Sequence, residues 1–301
     1  MGDGENDGLG DHSGHRRRVH LVDGTFELFR CFHGAPRART TTGHEVGAAR
    51  GVLATVASLL RRPDVSHVAV AFDSVVTPPG ATRAATPDQL IASQVGFAAD
   101  AVRALGVPVW PSGRYQADEI IATAAARFAE LPHVAQVVIC STDNDFDQCV
   151  RHDRIVVLDR IRDVVTDEPA VLAKYGVAPQ QIPELFALVG DRSDGLPGVP
   201  GWGLTSSAAL LRRYGTVAAI PLDPDDWDVA VRGRRRLAES LREHRDEALL
   251  CRDLSELRTD LPVPAHLDAL EWRGARRDRL VELCAVLEDD SVLDRIDRWL
   301  D

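Results

Sequence analysis

Short runs of β-branched and apolar residues, several of them closing on an aspartate, constrain this chain most. Residues 19–22 run into Asp23, 67–72 into Asp73, 136–140 into Ser141-Thr142-Asp143-Asn144-Asp145, and 154–158 into Asp159. A further short run occupies 107–110. Between them lie stretches with helical spacing at 47–60, 87–105 and 117–131; the second begins at Pro87 and is followed by Gly106. Parallel strands need long crossovers, so strands alternating with helices of this length predict an α/β fold built on a mostly parallel sheet. Ligands in such sheets bind outside the carboxyl ends of the strands. Asp23, Asp73, Asp143 and Asp145 are therefore expected along one edge.

From about Glu168 the strand pattern fades. Residues 169–175, 179–189, 205–214, 235–249 and 276–287 have helical character, while 254–260 and 265–272 receive no element. The expected organisation is a disordered tail over 1–18, an α/β subdomain over 19–167 and a mainly helical subdomain over 168–301, packed together rather than joined by a linker. A chain of 301 residues is long enough to bury a large core. The tail is rich in Gly, Asp and His without an apolar run, unlike a secretory signal. No stretch approaches ~18 uninterrupted apolar residues, which argues against a helical membrane span. Cys31, Cys140, Cys149, Cys251 and Cys284 are scattered singly, the pattern of reduced thiols in a cytoplasmic protein. Nothing demands an oligomer, so a monomer is expected.

Residues 190–203 fit neither a helix nor a strand interior, because Asp191 and Asp194 lead into a segment punctuated by Gly195, Pro197, Gly198, Pro200, Gly201 and Gly203. A lone aspartate at a strand end or in a turn has an ordinary explanation as a cap. The number of them here is harder to explain that way. Asp23, Asp73, Asp118, Glu119, Asp143, Asp145, Asp191 and Asp194 around one pocket would repel one another strongly without bound cations. Ligands that are all oxygen favour Mg²⁺ or Mn²⁺ over zinc. Two such ions ~4 Å apart suit in-line hydrolysis of a phosphodiester. The net charge of −11 weighs against a polyanion partner, yet arginines cluster at 16–18, 212–213 and 232–236, so charge alone decides nothing.

Val22-Asp23-Gly24, Phe72-Asp73, Gln116-Ala117-Asp118-Glu119, residues 141–145 and the 190–203 stretch, in this order, resemble the bacterial 5′ nuclease family. That family comprises the 5′ to 3′ exonuclease domain of DNA polymerase I and stand-alone flap endonucleases. The resemblance runs from about residue 19 to 257. It implies a PIN-like sheet, a C-terminal helical subdomain with a helix-hairpin (H3TH) element, and metal-dependent cleavage near the 5′ end, flap or nick of DNA. On the matching positions, Asp23, Asp73 and Asp118 would hold one metal; Asp143, Asp145, Asp191 and Asp194 would hold a second or an adjacent weaker third, with Asp118 bridging and Glu119 acting directly or through water. Arg30 matches an arginine beside the scissile phosphate and joins Asp118 and Asp143 in the catalytic set. Gly198, Val199, Gly201, Gly203 and Thr205 fall in the hairpin, which in the family grips duplex phosphates with a potassium ion; Arg212 and Arg213 follow it.

Three departures stand out against the family pattern. Gln116 replaces a usual Glu, leaving an amide oxygen as the ligand. The segment 74–86, which in the family forms a basic arch, is short and offers only Arg83. The hairpin lysine is missing near Leu204-Thr205. The same residues leave two other readings open: a module that binds DNA junctions without cutting, and a PIN-type ribonuclease.

Overall fold

The computed structural model describes residues 17–74, 86–191, 195–263 and 266–300. Strands β1 (Arg17–Asp23), β2 (His67–Phe72), β3 (Val109–Pro111), β4 (Val134–Cys140), β5 (Ile155–Asp159) and β6 (Val164–Thr166) form one sheet in the order β3-β2-β1-β4-β5-β6. The first five are parallel to their neighbours, and β6 is antiparallel to β5. The chain builds outward from β1 in one direction and then returns to place β4 on its other side. The tips of β1 and β4 therefore flank the point where the strand order reverses, the usual ligand crevice of such sheets.

Helices cover both faces, which is why the strand sequences are continuously apolar rather than alternating. Helices α1 (Gly24–Gly34), α2 (Gly47–Leu60), α3 (Pro87–Ala92) and α4 (Val95–Ala104) precede α5 (Ala117–Ala129) in the chain. Val19 and Leu21 of β1 point to the face covered by α5, packing with Ile121 and Phe128. Val22 points to the opposite face with Leu28, Val52 and Val56 of α1 and α2. Beyond the sheet come α6 (Glu168–Tyr175), α7 (Ile182–Val189), α8 (Leu204–Tyr214) and α9 (Arg234–Ser255); Leu185, Leu210 and Leu241 continue the α5-side core. The last residues form β7 (Ala275–Arg276), α10 (Arg277–Leu287) and β8 (Trp299–Leu300), and Leu280 of α10 joins the core on the α1/α2 side. Among the described residues, no helix is long and apolar enough to cross a membrane.

The expected single helix over 87–105 is in fact two, broken at Ser93-Gln94. Gln94 is fully buried, and its Oε1 accepts hydrogen bonds from the backbone N–H groups of Ala48 (2.9 Å) and Ala49 (3.3 Å). Val46, at the N-cap of α2, makes no side-chain cap. The first amides of a helix have no intrahelical acceptor, so the break serves to deliver a polar cap to another helix. Two further elements had no expectation attached. Helix α1 starts immediately after β1, and β6 is a three-residue edge strand with Val164 and Val165 exposed. The helix expected over 235–249 runs to Ser255, with non-helical geometry at His244.

Replacing Gln94 with Leu keeps the volume but leaves the Ala48 and Ala49 amides buried without their acceptor. The expected loss is about 2 kcal/mol or more, read from the urea midpoint at unchanged m-value; an unaltered midpoint would contradict the capping role.

Candidate metal centre and nucleic-acid interface

The tips of the parallel strands are joined by hydrogen bonds that set the position of each carboxylate. Asp23 ends β1 and caps α1, its Oδ1 accepting from the Phe26 amide at 2.9 Å. Its Oδ2 accepts from the Ser141 hydroxyl at 3.1 Å, across the gap between β1 and β4. The same Ser141 oxygen accepts from the Asp143 amide at 3.2 Å. On the other side, the Asp73 amide donates to Thr25 Oγ1 (2.9 Å), and Asp73 Oδ1 accepts from the Ala117 amide at the start of α5 (2.8 Å). Asp118 follows in the first turn of α5, and Asp143 caps a 3-10 helix over Asn144–Cys149, its Oδ1 accepting from the Asp145 amide at 3.0 Å.

Asp23, Asp73, Asp118, Glu119 and Asp143 thus come together from four parts of the chain. Burial is the main cause that pushes the Asp23 carboxyl up to about 7, with the charges of Asp143 and Asp73 adding to it; its two hydrogen bonds offset only part. Asp118 is pushed up to about 6, again first by burial and then by Asp73, Glu119 and Asp143. Asp147, Asp191 and Asp145 all act on the buried Tyr175; burial and then these carboxylates raise its hydroxyl well above the usual phenol range. Among the described residues, no three His, Cys, Asp or Glu side chains converge on a single ion position as placed. The donors nevertheless suit a hard divalent cation, being all oxygen, and their mutual repulsion is what such a cation relieves. Asp194 and Arg83 lie outside the described residues.

Other expected residues have definite partners. Gln116 is exposed at the N-cap of α5, and its amide N–H donates to Glu119 Oε2 at 3.1 Å, so Glu119 closes the first turn of that helix. Arg30 does not stand free: its Nε donates to Glu27 at 3.0 Å and its Nη2 to Thr55 Oγ1 at 3.1 Å, while Arg160 takes the other Glu27 oxygen at 2.9 Å. Glu27 is 3% exposed, so this arginine is held from below by a buried carboxylate. Asp159, at the end of β5, is an ordinary turn aspartate that accepts from the amides of Ile161 and Arg162.

Gly190 and the turn over 195–203 form a backbone-to-backbone device. Gly190 and Gly198 both have positive φ (80° and 67°), and a Cβ on Gly198 would stand 2.4 Å from the Gly190 nitrogen. Only glycine permits that approach. Gly201 (φ 83°), Gly203 and Thr205 are exposed around the entry to α8. The remaining residues expected to contact DNA have partners within the chain. Val199 is 4% exposed and its N–H donates to the Leu188 carbonyl, so it anchors the loop. Arg212 donates to the Gly176 carbonyl at 2.7 Å, and Arg213 pairs with Asp228; both sit in the last turn of α8, away from the hairpin. Arg236 of α9 lies against the hairpin instead, its guanidinium atoms 3.7–3.9 Å from where a Gly201 Cβ would be.

Residues 18–176 match the family profile described as "5'-3' exonuclease, N-terminal resolvase-like domain", and residues 177–278 the one described as "5'-3' exonuclease, C-terminal SAM fold". The chain belongs to the 5′–3′ exonuclease family. DNA polymerase I of Bacillus caldotenax is 32% identical over 295 residues, which covers 94% of this chain and 32% of the polymerase. DNA polymerase I of Rhizobium leguminosarum is 34% identical over 303 residues, covering 95% and 28%. The chain therefore spans a third or less of the length of these curated relatives. Its fold is similar to that of the T5 5′-exonuclease with bound zinc, with a TM-score of 0.63 at 19% identity, covering 90% of this chain and 98% of that one. It is also similar to the catalytic core of Rad2 in complex with DNA substrate, with a TM-score of 0.59 at 14% identity and coverage of 90% and 88%.

The raised carboxyls carry a stability consequence. In the metal-free protein Asp23 and Asp118 hold protons up to about 7 and about 6, whereas their ordinary value is 3.8. The native state then binds more protons than the unfolded chain across that window, so their contribution to stability falls as pH rises through it. Asp23→Asn, which stays neutral, is expected to raise the Tm of the metal-free protein by several degrees at pH 8 and by much less at pH 4.5, measured calorimetrically with chelator present. A lowered Tm at pH 8 would contradict the charge crowding.

Proposed function

We propose that this chain is a divalent-metal-dependent 5′ nuclease that hydrolyses phosphodiester bonds near the 5′ ends of branched or nicked DNA. The observation that carries this reading is the gathering of Asp23, Asp73, Asp118 and Asp143 at the reversal point of the sheet in a member of the 5′–3′ exonuclease family. Asp23, Asp73 and Asp118 would hold one Mg²⁺ or Mn²⁺ ion; Asp143, Asp145, Asp191 and Asp194 would hold the second, with Glu119 and Gln116 reaching it or its neighbour through water. Such a pair of ions supplies water activation and stabilisation of the leaving oxygen. The T5 flap endonuclease structure with DNA and metal ions, of similar fold, supports the choice of cofactor and substrate.

The protein's own groups have separable tasks. The hydrogen bonds from Ser141, the Phe26 amide and the Ala117 amide hold Asp23 and Asp73 in place before any ion arrives. That prearrangement lowers the reorganisation needed at the moment of reaction. Arg30, kept upright by Glu27, would face the scissile phosphate and offset charge developing on it. The turn from Gly198 to the exposed Gly201 and Gly203 and the first amides of α8, with a potassium ion, would hold duplex phosphates, and Arg236 would add a cation there. Contacts of this kind fix position without reading base sequence. With Gln116 where the family pattern has Glu, the centre would carry one negative charge fewer.

The test is cleavage of 5′-flap, nicked and 5′-blocked DNA, with matched RNA, over a range of Mg²⁺ and Mn²⁺. Wild-type protein is expected to cut the DNA flap, and Asp143→Asn and Asp118→Asn to lose roughly 10²–10³-fold or more in kcat, the scale of removing one prearranged electrostatic group. Full activity in both variants would sink the proposal. Tight flap binding without cleavage would favour a junction-binding module, and preference for the RNA strand a ribonuclease.

A further inference from the structure

The acidic turn after β4 carries a carboxylate that the proposed chemistry does not use. Asp143, Asp145 and Asp147 alternate along the turn, with Asp143 exposed, Asp145 partly exposed and Asp147 only 3% exposed. Asp147 Oδ2 accepts from Lys174 Nζ at 2.8 Å and from the Tyr175 hydroxyl at 2.9 Å. Lys174 also donates to Asn144 Oδ1 at 2.8 Å, so a single ammonium group grips both ends of the turn. It lies 4.6 Å over the Tyr175 ring as well. Lys174 is the only lysine among the 35 Lys and Arg of the chain. The ammonium is compact and has three donors that can diverge to separate acceptors, a geometry the planar guanidinium fork does not reproduce.

The helix that presents Lys174 is itself held at that end. Gly176 caps α6 in the left-handed region (φ 72°), its N–H donating to the Leu172 carbonyl, and its own carbonyl accepts from Arg212 of α8. Phe146 and Val150, both fully buried, anchor the turn in the core from below. The turn is thus pinned by apolar packing beneath and by Lys174 and Tyr175 at its side, leaving Asp143 and Asp145 at its outer rim. Asp147 is buried but the Lys174 side chain is 47% exposed, and an ion pair open to solvent on one side contributes little net stability, so stability alone does not account for this one.

We propose that Lys174 is a positioning residue for the second metal site, which rests on the nuclease reading above. By binding Asn144 and Asp147 together it fixes the turn so that Asp143 and Asp145 face the cleft, and it neutralises Asp147 so that this third carboxylate does not compete for the ion. Groups that orient metal ligands typically account for about 10–100-fold in metal affinity or activity.

The experiment compares wild type, Lys174→Met, Lys174→Arg and the double variant Lys174→Met/Asp147→Asn. It uses Mn²⁺ titration calorimetry without DNA, thermal unfolding, and steady-state flap cleavage. Lys174→Met is expected to weaken Mn²⁺ binding and lower kcat by about 10-fold each, with KM for the flap changed by less than about two-fold. Lys174→Arg is expected to recover only part. The double variant removes both charges and keeps an acceptor for Tyr175, so its Tm should return while Mn²⁺ affinity and kcat stay low. If the double variant regains all three, the lysine is merely structural and the proposal falls. It also falls if Lys174→Met binds Mn²⁺ and cuts as wild type does. A wild-type chain that neither binds Mn²⁺ nor cuts overturns the nuclease reading, and this proposal with it.

Discussion

The Ser141 hydroxyl sits between two aspartates, donating to Asp23 at the end of β1 and accepting from the backbone of Asp143 beyond β4. That contact exists because β4 returns to the far side of β1, so two tips distant in sequence become adjacent at the reversal of strand order. A carboxylate placed there is buried and near others of the same charge. It can persist only if neutral donors hold it, and the amides of Phe26 and Ala117 with the Ser141 hydroxyl fill that role across the strand tips. The rest of the architecture follows, since helices on both faces must cover the sheet while leaving this edge open.

Several cations near the site and the hairpin helix are tied down. Arg30 and Arg160 share Glu27, Lys174 is bound to Asp147, Arg212 to a helix-end carbonyl and Arg213 to Asp228. A net charge of −11 in a protein of this family is therefore less paradoxical than it looks. Part of the negative charge gathers at the strand tips, where divalent ions would offset it, and these cations are held by specific partners. The cost is a site that opposes folding when metal-free, carried by the large apolar cores on either side of the sheet.

The five parallel strands and the aspartates at their tips were legible because both obey local rules. β-branched runs closing on aspartate mark strand tips, and the parallel pattern places the tips on one edge. Thr25 and Ser141 were not legible as positioning groups, for a hydroxyl next to an aspartate has no distinctive period. The break at Gln94 was hidden for a similar reason: residues 87–105 keep helical character throughout, and only the proximity of α2 requires a polar side chain to leave the helix and cap Ala48 and Ala49. Arg212 and Arg213 follow the glycine-rich hairpin in sequence, and the eleven residues of α8 carry them to its other end, where Arg212 donates to the Gly176 carbonyl and Arg213 pairs with Asp228.

By itself the sequence determined the α/β class, the helical character of the second half and the aspartates that end the strands, because strand runs, turn glycines and carboxylates at strand ends are local properties. Only the tertiary structure decided which groups would be partners. It buried Glu27 beneath Arg30, brought Arg236 against the hairpin, and used the single lysine to clamp the turn that carries Asp143 and Asp145. Those pairings depend on distances between elements, and the desolvation that makes each charge choose a partner arises only when the elements pack.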